Sequence, residues 1–193
     1  SVQCWLLLAG LGHLWLVAQV FKAFVVDAGV SGAVPVWIGG NIGRPLITDL
    51  PQISADDLVV QELSSFQLEI WDHCSRPVAA ILNVTPNHLD RHKTMASYAA
   101  AKSHILRSQR SDGIAVLSAD DPGSLEMREF VRGRLRTFSA HQPVTDGAFL
   151  RDGQIWLNDD QGEHWVCAAA ASRLIGPHNI LNILAAEVDA VEH

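Results

Sequence analysis

Five short clusters carry the residues able to do chemistry in this chain. Glu62 opens the string Glu62-Leu63-Ser64-Ser65-Phe66-Gln67-Leu68-Glu69 near the end of the strand-like run Leu58 to Leu63. A carboxylate at the end of a parallel strand lies at the carboxyl edge of a sheet, where α/β proteins place ligands and metals. Ser64 and Gln67 add a hydroxyl and an amide to the same edge, although plain helix capping accounts for the serines equally well. His88, in Asn83-Val84-Thr85-Pro86-Asn87-His88-Leu89-Asp90-Arg91-His92, follows the apolar run Val78 to Val84 and offers an imidazole to a divalent ion or to a turn. The His88–His92 spacing is that of zinc pairs on a helix, but no Glu stands between them to serve as base, which argues against a zinc protease. Lys102 stands in Tyr98-Ala99-Ala100-Ala101-Lys102. It reads either as a surface lysine or as an amine of depressed pKa, able to take up CO₂ as a carbamate and hold a metal. Gly39-Gly40-Asn41-Ile42-Gly43 can bring backbone amides close to an anion or simply turn the chain. Asn179 and Asn182, three apart after Gly176-Pro177-His178, share a face of a helix start and could meet a nucleobase or phosphate.

The elements that must position these groups alternate short apolar runs with helical stretches, the pattern of an α/β fold with a mostly parallel sheet flanked by helices. Strands are expected at Val34 to Ile38, Leu58 to Leu63, Val78 to Val84 and Ile114 to Leu117. Ser64 or Ser65 is expected to cap a helix near Phe66, and Thr94 a helix reaching about Ser108. Asp120-Asp121-Pro122 reads as a turn entering a further helix. From residue 147 to 168 the texture changes to a small antiparallel hairpin sheet, with Asp152-Gly153 as a type I′ turn. A helix is expected from Gly176-Pro177 to the end of the chain.

Composition sets limits. The chain has 193 residues, 48% hydrophobic and 18% charged, enough apolar surface for one domain over residues 1–193. A net charge of −7 argues against a nucleic-acid partner, which needs a basic footprint. Cys4, Cys74 and Cys167 make neither a disulfide framework nor a zinc spacing, in keeping with a cytoplasmic setting. Val2 to Phe21 carries no charge. No Lys or Arg precedes it, and Gln3, Gly10, Gly12 and His13 dilute it. These features favour a buried strand and a helix from Leu14 to Phe24 over a membrane span.

Taken in order, Gly40-Asn41-Ile42-Gly43, the Glu62 to Glu69 string, Asn83 to His92 and Gly176 to Asn182 resemble the motifs of the Mur ligase family. The match runs from about Gly39 to the C-terminus. Ser64-Ser65-Phe66-Gln67-Leu68-Glu69 most resembles the branch that adds D-glutamate. The resemblance implies a central, ATP-binding domain of the P-loop type. In such a ligase ATP phosphorylates the carboxylate of UDP-N-acetylmuramoyl-L-alanine, and the amine of D-glutamate attacks the acyl phosphate during peptidoglycan precursor synthesis. It further implies that Glu62, His88 and a carbamoylated Lys102 hold Mg²⁺. Asn41, Ser64 and Gln67 would line the UDP-N-acetylmuramoyl-L-alanine site, and Asn179 and Asn182 would contact ATP. The implied protein is a cytoplasmic monomer.

The sequence departs from that pattern in one place. A phosphate loop of the form Gly-x-x-Gly-Lys-Ser/Thr is expected upstream of Asn41, but Ala9-Gly10-Leu11-Gly12-His13-Leu14-Trp15 has neither lysine nor hydroxyl, so residues 1–35 read as degenerate. The flanking UDP-binding and D-glutamate domains of the family lie outside the sequence. The expectation is therefore no ligase activity from the chain alone. Two alternatives stay open: a non-catalytic domain that binds a nucleotide or a partner, and another Mur or folylpolyglutamate-type ligase.

Overall fold

The computed structural model describes residues 5–9, 35–41, 45–71, 78–85, 92–171 and 177–190. Nine strands join in one sheet. They are β1 (Trp5–Ala9), β2 (Val36–Gly40), β3 (Leu58–Glu62), β4 (Val78–Ile81), β5 (Ile114–Ser118), β6 (Arg134–Ser139), β7 (Gly147–Arg151), β8 (Gln154–Asp159) and β9 (Gly162–Ala168). Their spatial order is β2-β3-β1-β4-β5-β6-β7-β8-β9, parallel from β2 through β7. β8 and β9 then run antiparallel. From β1 the chain moves to one side to build β2 and β3, then passes back over β1 to begin β4. The order reverses there, and in open α/β sheets ligands bind outside the carboxyl ends of the strands at such a reversal.

The central strands explain their own placement. Val78 and Ala80 of β4 and Ile114 and Val116 of β5 enter one apolar cluster, while Ala79, Ile81, Ala115 and Leu117 enter another. Side chains alternate across a strand, so these residues are buried on both faces of the sheet, as near-continuous apolar runs require. On one face lies helix α4 (Pro177–Ala190), which contributes Ile183, Leu184, Ala185, Ala186 and Val188. On the other lies α2 (Met95–Arg107), with Tyr98, Ile105 and Leu106. The short helices α1 (Ser65–Glu69) and α3 (Pro122–Glu126) follow β3 and β5.

Helix starts follow their caps. Thr94 accepts a hydrogen bond from the Ser97 N–H at 3.1 Å, and Asp121 from the Ser124 N–H at 2.7 Å, with Pro122 in the first helical turn. Asp152 and Gly153 both have positive φ, 51° and 70°, the geometry of the expected type I′ turn between β7 and β8. β2 runs on through Gly40, past its expected end at Ile38, and two further differences from expectation have a visible physical cause. β4 stops at Ile81 rather than Val84, because the Val84 N–H leaves the ladder to donate to Asp121 Oδ1 at 2.9 Å. The antiparallel strands at 147–168 do not form a sheet of their own, since Thr137 to Ser139 pair in parallel with Gly147 to Phe149 and extend the main sheet. Trp5–Ala9 is paired on both edges, with β3 and β4, as a central strand. The helix expected at Leu14 to Phe24 lies outside the described residues. Among the described residues no helix is long and apolar enough to cross a membrane.

Candidate functional site at the strand-order reversal

Glu62 is the last residue of β3 and stands level with Leu8 of β1, which is itself level with Ala80 of β4. Next to it, β2 ends in Gly40 with φ of 122°, and a Cβ there would lie 2.1 Å from the Glu62 carbonyl oxygen. Glycine is thus required for the two strand ends to meet. The close approach lets the Asn41 N–H donate to the Glu62 carbonyl at 3.0 Å. The Asn41 side chain also hydrogen-bonds the Glu62 carboxyl, which favours its charged form, but burial dominates and raises its pKa above the usual carboxylate value. Glu62 is only 3% exposed, and its Oε2 has no hydrogen-bond partner. A buried oxygen in that condition costs about 1–3 kcal/mol if nothing binds it.

Two strands away, α2 carries Lys102 toward the loop after β4. Its Nζ donates to the Asn83 carbonyl at 2.6 Å and sits 4.9 Å from the centre of the Tyr98 ring. The side chain is buried, which disposes of the surface-lysine reading. Burial lowers its pKa to about 8, against the opposing pull of the Asp121 carboxylate. An amine of this kind is substantially neutral near pH 8 and can add CO₂. Glu62 and Lys102 therefore approach the carboxyl rim on either side of β1. His88, the third residue expected at this rim, lies outside the described residues.

Ser64 caps α1, with its hydroxyl accepting from the Gln67 N–H at 3.3 Å, while the Gln67 Oε1 accepts from the Ser64 N–H at 2.9 Å. Capping thus engages Ser64 and the Oε1 end of Gln67. Asn179 and Asn182 lie in the first turns of α4, half-buried and buried, on the helix packed against β5 to β8. No measured contact joins them to Glu62 or Lys102. Among the described residues no group of three His, Cys, Asp or Glu side chains is close enough to hold a metal.

Asp121 is a rim residue that sequence reasoning located only as part of a turn. Besides capping α3 it accepts the Val84 N–H, and it supplies the charge facing Lys102. The Asp-Asp-Pro signal marks a helix start. Its partners, Val84 and Lys102, are distant in sequence and leave no local trace.

Residues 38–188 match the Mur ligase middle domain. The chain belongs to the Mur ligase family. Among curated members it is 41% identical over 156 residues to the UDP-N-acetylmuramoylalanine–D-glutamate ligase of Koribacter versatilis (strain Ellin345), covering 81% of this chain and 34% of that protein. It is 39% identical over 171 residues to the enzyme of the same name from Pelotomaculum thermopropionicum (strain DSM 13744 / JCM 10971 / SI), covering 89% of this chain and 36% of that one. The chain spans about a third of the length of these Mur ligase relatives. Among solved structures, a UDP-N-acetylmuramoyl-L-alanyl-D-glutamate–2,6-diaminopimelate ligase superposes with a TM-score of 0.76 at 20% identity, over 100% of this chain and 43% of that one. A MurF ligase from Thermotoga maritima in complex with ADP gives 0.64 at 16% identity, over 96% and 44%. These two establish the Mur ligase fold.

Proposed function

We propose that this segment is the ATP-binding middle domain of a UDP-N-acetylmuramoylalanine–D-glutamate ligase. The observation that carries the reading is the 41% identity to ligases of this one name across 81% of the chain. The orphaned Oε2 of Glu62 fits a cation at the rim. Mg²⁺ there would be held by Glu62, His88 and Lys102 as its carbamate, and when bound it offsets the charge that builds where a carboxylate meets the γ-phosphate of ATP. The remaining roles belong to the chain's own groups. Asn41 orients the Glu62 carboxyl. Ser64 and Gln67 present a hydroxyl and an amide to the UDP-N-acetylmuramoyl-L-alanine side, and Asn179 and Asn182 present amides to ATP. D-glutamate supplies the attacking amine, and the protein that contains the segment is a cytoplasmic monomer.

One observation favours a second reading, a domain that keeps the fold without turning over. In the sequence, the stretch from Ala9 to Trp15 offers no lysine or hydroxyl to phosphates. Calorimetric titration of the chain with Mg-ATP separates the two. Binding in the micromolar range supports the ligase reading, and no binding at millimolar Mg-ATP supports the second. ADP release from the 193-residue chain that required both UDP-N-acetylmuramoyl-L-alanine and D-glutamate would overturn the expectation that it is inactive alone.

A further inference from the structure

Among the described residues Arg136 is the largest side chain taken wholly out of water, at 1% exposure. It stands in β6 two residues before Phe138, on the face of the sheet whose apolar cluster includes α4. Asp146 orients its guanidinium, accepting from Arg136 Nε on Oδ1 at 2.9 Å and from Arg134 Nε on Oδ2 at 2.8 Å. Held in this way, Arg136 Nη1 donates to the Val188 carbonyl at 2.5 Å. Val188 is among the last four residues of α4, whose carbonyls find no donor within the helix. A cation at that end also meets the negative pole of the helix.

A buried guanidinium is a poor source of stability in itself, because desolvation offsets much of what its contacts return. What this one adds is direction. Apolar burial is non-directional, and the α4 face against the sheet includes two small residues in succession, Ala185 and Ala186, beside Ile183, Leu184 and Val188. Such a face buries area without fixing the height of the helix along the strands. A hydrogen bond from one strand residue to one helix carbonyl does fix it. Two residues of β6 precede Arg136 and three follow, and α4 packs on β5 to β8. With its end at Arg136, the helix therefore runs back over the sheet toward the carboxyl ends of the strands. Asn182 lies six residues before Val188, about 9 Å along the helix at about 1.5 Å per residue. Ser139, the last residue of β6, lies three after Arg136, about 10 Å along the strand. The anchor thus brings the buried Asn182 level with the end of β6.

We propose that Arg136, aimed by Asp146, is a positioning residue that sets the height of α4, so that Asn182 meets ATP at the carboxyl rim. The role rests on the ATP reading of α4 given above. A slip of the helix by one residue would carry the Asn182 amide about 1.5 Å along the axis and turn it through about 100°. That is enough to break a hydrogen bond, whose length varies by only about 0.5 Å.

The test measures Mg-ATP affinity of the 193-residue chain by calorimetry, in single variants and in a double-mutant cycle with Asn182→Ala, with thermal unfolding alongside. Arg136→Met keeps an unbranched chain in the space and removes the donor. It should weaken Mg-ATP about 10-fold, the equivalent of one well-placed hydrogen bond. Once Asn182 is already alanine, the same change should cost less than about 2-fold. Arg136→Lys, which can serve the Val188 carbonyl alone, should recover part of the affinity. Asp146→Asn leaves the guanidinium in place and loosens its aim. It should weaken binding about 3-fold, and takes the place of Arg136→Met in the cycle where that variant does not fold. Folded variants with wild-type affinity, or equal losses with and without Asn182, would overturn the positioning role while leaving the ATP reading standing. A wild-type chain that binds no Mg-ATP, or an Asn182→Ala variant that binds it as the wild type does, would remove the ATP reading of α4 and this inference with it.

Discussion

Glu62 and Glu187 are both carboxyls taken out of water, at 3% and 2% exposure, and burial raises the pKa of each. Their regions differ. Glu187 lies on the α4 face of the sheet, in a stretch of helix whose neighbours Leu184, Ala185, Ala186 and Val188 build the apolar core. Burial pushes it up to about 8. The buried guanidinium on that side, Arg136, donates from Nε to Asp146 Oδ1 at 2.9 Å and from Nη1 to the Val188 carbonyl at 2.5 Å, and its Nη2 has no hydrogen-bond partner. Burial thus favours the protonated form of Glu187, and the Cys167 thiol near it is itself pushed up, first by burial and then by that carboxylate. Glu62 stands instead at the carboxyl rim where the strand order reverses, with the Asn41 amide beside it and one oxygen unpaired. Equal burial therefore has two meanings. Inside the core it is a liability relieved by a proton, and at the rim it is a place for a cation.

The sharpest way to break this contrast is Glu62→Gln in an intact ligase carrying the segment. ADP release dependent on both substrates should fall ~1000-fold, with folding stability unchanged or slightly raised, since a buried charge is removed. A loss of only a few-fold would put the two carboxyls in the same class.

Glu187→Gln should do the reverse, with no effect on Mn²⁺ binding and a large one on stability. The folded-state pKa of about 8 lies above the ordinary value of 4.5, so between these pH values the folded chain holds a proton that the unfolded chain releases. Stability should therefore fall as pH rises from about 4.5 to 8 and level off above. The glutamine variant should flatten that slope and gain roughly 2–4 kcal/mol at pH 8, read by thermal or urea unfolding across pH.

Lys102→Arg keeps the cation but cannot form a carbamate. It should reduce ligase turnover about 100-fold and abolish the carbamate signal that ¹³CO₂ gives in the wild type by carbon NMR. Persistence of that signal in the variant would place the modification on another amine. Asn41→Ala should have the smallest effect, about 5–10-fold weaker Mn²⁺ binding, because it removes an orienting amide and no ligand.

Much of the local structure was legible from residue types. Thr94, Asp121-Pro122 and Ser64 marked helix starts because a cap is decided by a side chain two or three positions from its backbone partner. Asp152-Gly153 marked the hairpin because few residue pairs accept two positive φ values in succession. The strand ending at Glu62 was visible, and so was its place at a rim. Three things were not. β4 ends early because an aspartate on α3 captures the Val84 N–H, a partner 37 positions away. The strands at 147–168 extend the main sheet because of pairing with β6, which alternation of side chains does not reveal. Lys102 stayed open between a surface lysine and a buried amine, because its alanine-rich neighbourhood gives no sign of the Asn83 carbonyl that its amine meets.

The amino-acid sequence by itself determined the kind of elements, their caps and turns, and which polar groups close the strands, because these depend on contacts within a few residues. Strand order, the meeting of Glu62 with Asn41, the burial that lowers the pKa of Lys102 and the capture of the Val188 carbonyl by Arg136 were decided only by the tertiary structure. Each depends on segments brought together across the sheet, and the dielectric surroundings of a side chain come into being only when those segments pack.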